Sequence, residues 1–303
     1  MQASTCSNRC RPSRWAFHLV AVAIVAIWGV TFISTKVLIE AGLAPHEIFL
    51  LRFVVAYAGI WTLSHRRLWC ASWRDEAWLV AGGMTGGSIY FLTENTALQL
   101  TLASNVSFIV CTAPLLTTLL VVLVDRRRGS SALWGGSLLA MVGVALVVFN
   151  GHFVLKVSPL GDLLSLAAAF SWAVYSLIIR RMSGRYPTAF LTRKVFFYGI
   201  LTVLPFFVLH PWAFPLTGFA RTEVWFNLFF LSVVASLGCY ATWNVVLRRL
   251  GTVQASNYIY LNPIFTLAAS SFWLGERLTW LSLAGVVCIL LGVYWAGREP
   301  VRA

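Results

Sequence analysis

The chain has 303 residues, 59% of them hydrophobic and only 11% charged, with a formal net charge of +13. Soluble domains carry about 25% charged residues and about 45–50% apolar ones, so a water-soluble fold is excluded on surface chemistry alone. The basic excess would suit nucleic acid, and its distribution along the chain decides whether that reading is needed.

Arg9, Arg11 and Arg14 precede an apolar run from Trp15 to Val37. A cleaved leader has a shorter apolar core, and similar runs follow. This run is therefore expected to be an uncleaved first membrane span, with residues 1–14 as a cytoplasmic tail. A helix needs roughly 20 mainly apolar residues to cross a bilayer. Ten stretches approach or exceed that length: 15–37, 47–64, 76–98, 102–124, 131–149, 160–180, 190–209, 224–247, 253–274 and 279–297. Their connections are short and leave no room for a globular domain outside the membrane.

Taken loop by loop, the basic residues divide between two sides. One side holds Arg9, Arg11 and Arg14, then Arg66, Arg67 and Arg74, then Arg126, Arg127 and Arg128. It also holds Arg180, Arg181, Arg185, Arg193 and Lys194, then Arg248 and Arg249, and finally Arg298 and Arg302, 18 in all. The other side has 4: Lys36, Lys156, Arg221 and Arg277. Loops rich in Lys and Arg face the cytoplasm, so both termini are expected there. The charge then needs no nucleic-acid partner. Among the six cysteines, Cys111, Cys239 and Cys288 sit in apolar runs and pack as small hydrophobes. Cys6 and Cys10 have no histidine or second cysteine pair nearby, so no metal site is expected.

The two halves of the chain resemble each other. At an offset of 149, Asn95 falls on Asn244, Leu98 on Leu247 and Ser107 on Ser256. Pro114 likewise falls on Pro263, Thr117 on Thr266, Gly136 on Gly285 and Gly143 on Gly292. Trp28 and Lys36 match Trp172 and Arg180 at an offset of 144. Residues 1–150 and 151–303 then hold five spans each. An odd number inverts the second half relative to the first, an arrangement typical of secondary transporters with a midplane site. Pro114 and Pro263 lie mid-span, where proline frees the carbonyls of Val110 and Ile259. A freed carbonyl at membrane depth needs a partner or a wet cavity. A break required only for packing is the alternative.

Several segments resemble the EamA branch of the drug/metabolite transporter superfamily. They are Ile27-Trp-Gly-Val-Thr-Phe32, Leu51-Arg-Phe53, Glu94-Asn-Thr-Ala-Leu98, Ser171-Trp-Ala-Val-Tyr175 and Ala255-Ser-Asn-Tyr-Ile-Tyr-Leu-Asn-Pro263. The last continues through Leu274-Gly-Glu-Arg-Leu-Thr279 to Gly285 and Gly292. The resemblance implies an all-α integral membrane protein of ten transmembrane helices in two inverted five-helix repeats. It also implies a bacterial cytoplasmic (inner) membrane location and export of metabolites. Spans 1–4 and 6–9 would surround the cavity, with spans 5 and 10 packed peripherally. Proton coupling and homodimer formation are separate expectations, and no cofactor is expected.

Arg52 and Glu94 are the clearest charges inside spans, and both fall about one turn below the outer surface. An unpaired charge there costs at least a few kcal/mol, so an Arg52–Glu94 ion pair is expected. Such a pair could simply lock spans 2 and 3. In the functional reading, Glu94 couples protons or gates and Arg52 holds a substrate carboxylate. Trp28 and Thr31 share a face of span 1, as do Trp172 and Tyr175 in span 6; Tyr90 shares one with Glu94. Asn105 and Ser107 of span 4 correspond to the neighbourhood of Ser256, Asn257 and Tyr260 in span 9. Together these residues could ring a cavity for an amphipathic solute, although membrane tryptophans and tyrosines are more often anchors or packing. Trp69, Trp73, Trp78, Trp134 and Trp280 are expected to be such anchors. Asp162 and Glu276 are expected to cap helix ends, and Gly275 to end a helix before Thr279 starts another.

The leading expectation is a secondary transporter of small metabolites, amino acids among them, working by alternating access. The rival is an integral-membrane enzyme acting on a lipid-linked substrate. The ten acidic residues are scattered, and neither an H-E-x-x-H motif nor a nucleotide-binding G-x-x-x-x-G-K-[ST] loop occurs.

Overall fold

The computed structural model describes residues 14–101, 103–126, 129–149, 158–274 and 279–298, which are helical and contain no strand. The first half runs α1 (Arg14–Glu40), α2 (Pro45–Leu63), α3 (Trp73–Gly83), a π-helical segment (Met84–Ser88) and α4 (Ile89–Leu100). It continues with α5 (Ala103–Val110), α6 (Ala113–Asp125) and α7 (Ser131–Phe149). The second half begins with α8 (Pro159–Met182), α9 (Thr188–Val203) and the short α10 (Phe206–Leu209). Next come α11 (Thr222–Phe229), a second π-helical segment (Phe230–Tyr240) and α12 (Ala241–Leu250). The chain closes with α13 (Thr252–Asn257), a 3₁₀ turn (Tyr258–Leu261), α14 (Asn262–Leu274) and α15 (Trp280–Gly297).

Eight stretches among the described residues are long and apolar enough to cross a bilayer. The remaining two expected spans are helical but interrupted: α3 and α4 join through π turns, and α13 and α14 through the 3₁₀ turn. Cys6, Cys10, Arg9, Arg11, Arg127, Arg128, Lys156, Gly275, Glu276, Arg277 and Arg302 lie outside the described residues.

The helix ends follow local chemistry. Ser72 caps α3 by accepting from the Asp75 amide, Ser158 caps α8 through the Gly161 amide, and Thr279 exchanges bonds with Ser282 at the start of α15. Asp162 falls in the first turn of α8, where a carboxylate suits the helix dipole. Gly42 and Gly251, at φ +107° and +91°, turn the chain out of α1 and α12. The start of α2 holds a charge that sequence reasoning passed over. Glu47 is fully buried, and its carboxylate accepts from the amides of Ala44 at 2.9 Å, Ala213 at 2.6 Å and Phe214 at 3.0 Å. One side chain thus caps α2 and ties down the turn after α10. Glu47→Ala is expected to cost about 3 kcal/mol, since bonds to charged groups are worth about 1.5–3 each before relaxation. Faster hydrogen exchange at Ala213 and Phe214 would accompany the lowered melting temperature.

Contacts between the halves come in matched pairs. α2 packs on the second π segment and on α9, while α9 packs on the first π segment. α4 packs on α8, and α1 on α12 and α14. α7 and α15 form a two-helix unit whose glycines meet backbone to backbone, Gly136 against Gly292 and Gly143 against Gly285. Small residues of this kind let membrane helices approach closely enough for dispersion to hold them. The expected anchors Trp69, Trp73, Trp78, Trp134 and Trp280 are all exposed at the surface.

Candidate functional site

Asn95 and Asn244, matched in the sequence, do matching work. Each is fully buried and bridges its helix to a neighbour. The Asn95 amide donates to the Pro45 carbonyl at the start of α2. Asn244 donates to Thr192 Oγ1 of α9 at 3.0 Å and accepts from the Tyr175 hydroxyl at 2.5 Å. These polar ties fix α4 and α12, and with them the two π segments. A π turn widens the helix and leaves carbonyls free for outside donors. Trp28 Nε1 donates to Ala235 O at 3.3 Å, Ser171 to Thr85 O at 2.7 Å, and Tyr240 to Gly86 O at 2.6 Å. Gly86 has no room for a side chain, because a Cβ would meet Tyr175 at 2.3 Å and the Tyr240 hydroxyl at 2.5 Å.

Between these elements lies a cavity of about 40 Å³. Trp28, Thr31, Arg52, Tyr90, Glu94 and Trp172, all picked out in the sequence, line it. Trp28 and Trp172 meet edge to face with centroids 5.5 Å apart, one from each half. Phe32, Phe91, Val110, Ala113, Ala235, Tyr240, Ile259 and Asn262 complete the wall. Val110 and Ile259 are the residues whose carbonyls Pro114 and Pro263 free. The chain breaks at both places, between α5 and α6 and across the 3₁₀ turn. The Ile259 carbonyl accepts from the Asn262 amide within the 3₁₀ turn and from the Cys111 thiol at 3.7 Å.

Arg52 and Glu94 face this one cavity without forming the expected direct pair; no ion pair between them occurs among the described residues. Arg52 donates from Nε to Ser236 Oγ at 2.9 Å, and its guanidinium lies 4.3 Å from the Phe91 ring centre. Glu94 Oε1 accepts from the Tyr90 hydroxyl at 2.7 Å. Both residues are buried, at 3% and 7% exposure. Each is held by neutral neighbours, which leaves its charge facing the cavity.

The other nominated residues stand behind the wall. Tyr175 is engaged with Asn244. Asn105 donates to Thr101 Oγ1 at 3.3 Å. Ser107, Ser256, Asn257 and Tyr260 are buried but are not among the lining residues. The helix breaks explain the difference. α5 ends at Val110, so Val110 and Ala113 meet the cavity instead of Ser107, and Ile259 and Asn262 do so instead of Ser256. Phe91, Ala235 and Ser236 escaped notice because they are apolar or small, and Tyr240 because it lies in a mainly apolar run. The one available signal was the offset of 149, which places Ala235 opposite Gly86.

A model of the EamA-like transporter family matches this chain twice, over residues 15–149 and 159–298. The chain belongs to the EamA-like transporter family. It is 26% identical over 281 residues to an uncharacterized transporter of Archaeoglobus fulgidus, covering 91% of this chain and 96% of that protein. A protein of Escherichia coli named "probable amino-acid metabolite efflux pump" is 25% identical, with 91% and 93% covered. A "probable terminal-alkyne amino-acid exporter" of Streptantibioticus cattleyicolor is 25% identical over 75% of each chain. A solved crystal structure aligns with a TM-score of 0.73 at 19% identity over 94% of this chain and 97% of its own, a likeness of fold. This EamA-like protein is thus a multi-pass membrane transporter, and the cavity is its candidate substrate site.

Proposed function

We propose that the protein exports small amphipathic metabolites of amino-acid type across the cytoplasmic membrane by alternating access. The observation that carries this reading is that Arg52 and Glu94 line one aromatic-walled cavity without bonding each other. The terminal nitrogens of Arg52 have no partner among the described residues, nor has the second oxygen of Glu94. A guanidinium fork fits a carboxylate, Glu94 suits an ammonium, and Trp28, Trp172 and Tyr240 offer faces to an apolar side chain. The names of the Escherichia coli and Streptantibioticus relatives support the same class of solute.

The reading includes ten spans, five in 1–150 and five in 151–303, the second set inverted and both termini cytoplasmic. The twofold match to the family, the reciprocal packing of α2 and α9 on the π segments, and the central contact of Trp28 with Trp172 support it. The loop charges support the orientation. Rocking of the halves would bend the chain at Pro114 and Pro263. Glu94 is the group that exchanges a proton between turnovers.

Reconstitution in liposomes tests the proposal. Amino acids loaded inside should leave saturably, faster with an imposed pH gradient, and Glu94→Gln should abolish the response to the gradient. Wild-type pH dependence in Glu94→Gln would remove the coupling role. Failure to move any amino acid, with turnover of a lipid-linked substrate instead, would establish the enzyme reading.

A further inference from the structure

A second cavity, of about 170 Å³, lies apart from the central one, where α2 and α9 meet the connection after α2. Tyr57, Trp61, Trp69 and Phe197 wall it, and Arg193 and Lys194 reach it from α9. Both cations fall at the cytoplasmic start of the expected span 190–209, and they are only 2% and 3% exposed. One carboxylate answers them. Glu76 Oε1 accepts from both Lys194 and the Tyr198 hydroxyl. Arg193 donates to the carbonyls of Ser64 and Arg67, which are neutral, and forms no ion pair among the described residues. The pocket therefore holds a buried positive charge in excess, which is costly without a counter-ion.

The surroundings indicate where that counter-ion comes from. The rings of Trp61 and Trp69 lie 5.1 Å from the Arg193 guanidinium and 4.4 Å from the Lys194 ammonium, and are themselves 40% and 65% exposed. Exposed tryptophans over buried cations belong at the lipid–water boundary. The Tyr57 hydroxyl has no partner among the described residues and is free to donate. From Phe197 the same face of α9 continues through exposed Leu201 and Leu204, an apolar track leading away from the charges.

We propose that this pocket binds an anionic phospholipid, with its phosphate against Arg193, Lys194 and the Tyr57 hydroxyl and an acyl chain along Phe197 and Leu201. Basic pockets between membrane helices recognise headgroups in this way. The bound lipid would tie α2, α9 and the loop before α3 together. The proposal rests on the membrane placement of the chain and not on the solute it carries.

Full-length protein in phosphatidylcholine bilayers, with and without added phosphatidylglycerol, provides the test. Phosphatidylglycerol should raise the unfolding temperature and remain bound in native mass spectrometry. Lys194→Gln should weaken retention roughly tenfold, the effect of losing one charge-assisted bond. Tyr57→Phe should weaken it less. If Lys194→Gln does not fold, Tyr57→Phe combined with Trp69→Ala at the exposed rim carries the comparison. Equal protection by phosphatidylcholine overturns the proposal, as does wild-type retention in the variants. Inorganic phosphate or glycerol phosphate reproducing the shift would assign the pocket to a soluble anion and overturn it. So would a second copy of the chain covering Trp61 and Trp69 in neutral lipid.

Discussion

Gly143→Leu is expected to abolish folding of the α7–α15 pair, with a loss of about 4 kcal/mol or more, the range reserved for backbone-level disruption. A Cβ at Gly143 would stand 2.6 Å from Gly285 O and 2.7 Å from Ile289 N. At Gly292 it would stand 2.4 Å from Ala140 N and 2.6 Å from Gly136 O. These obstacles are main chain on both helices, so no rotamer change relieves them. The helices must separate, and lipid gives them no hydrophobic reason to stay together. Gly143→Ala should do part of the damage. Leu138→Ala, on a surface that is 64% exposed, should change stability by no more than about 0.5 kcal/mol. Thermal unfolding of purified protein in detergent ranks the three variants. A Gly143→Leu protein that melts with wild type would show that the seam is not what joins these helices.

This seam was legible in the sequence because glycine and proline carry backbone information. Gly136, Gly143, Gly285 and Gly292 recur at one offset, and so do Pro114 and Pro263, which the structure places at breaks lining the cavity. The helices themselves were legible from apolar length, and the start of α15 from Thr279. What remained hidden depends on tertiary contact. No periodicity announces a π segment, yet the widened turns at 84–88 and 230–240 bring Ser236 to Arg52 and Ala235 to Trp28. The expected span 190–209 already held Arg193 and Lys194, but only the tertiary contacts with Ser64, Arg67 and Glu76 show that both are buried. Six of the twelve nominated cavity residues are not among its lining: Asn105, Ser107, Ser256, Asn257 and Tyr260 lie next to the breaks, and Tyr175, on the unbroken α8, is engaged with Asn244.

The charged floor of the cavity carries the other large expected effect. Arg52→Met should lower the export efficiency of carboxylate-bearing solutes about a hundredfold, the equivalent of roughly 3 kcal/mol for a lost buried charged contact. Methionine fills a similar volume over Phe91, but Glu94 then has no opposite charge facing it across the cavity, and the solute carboxylate has no fork to meet. Arg52→Lys should recover only part of the loss, since an ammonium neither stacks on Phe91 as a plane nor offers two parallel bonds. Ser236→Ala leaves the charge in place and frees the Nε end, so its cost should be nearer tenfold. The distinguishing measurement compares an amino acid with its decarboxylated amine in the same liposomes. Arg52→Met should suppress export of the acid while leaving the amine, which needs only Glu94 and the aromatic wall, close to its wild-type rate. Equal suppression of both, together with a lower melting temperature, would make Arg52 a tie between α2 and the 230–240 segment instead of a substrate contact.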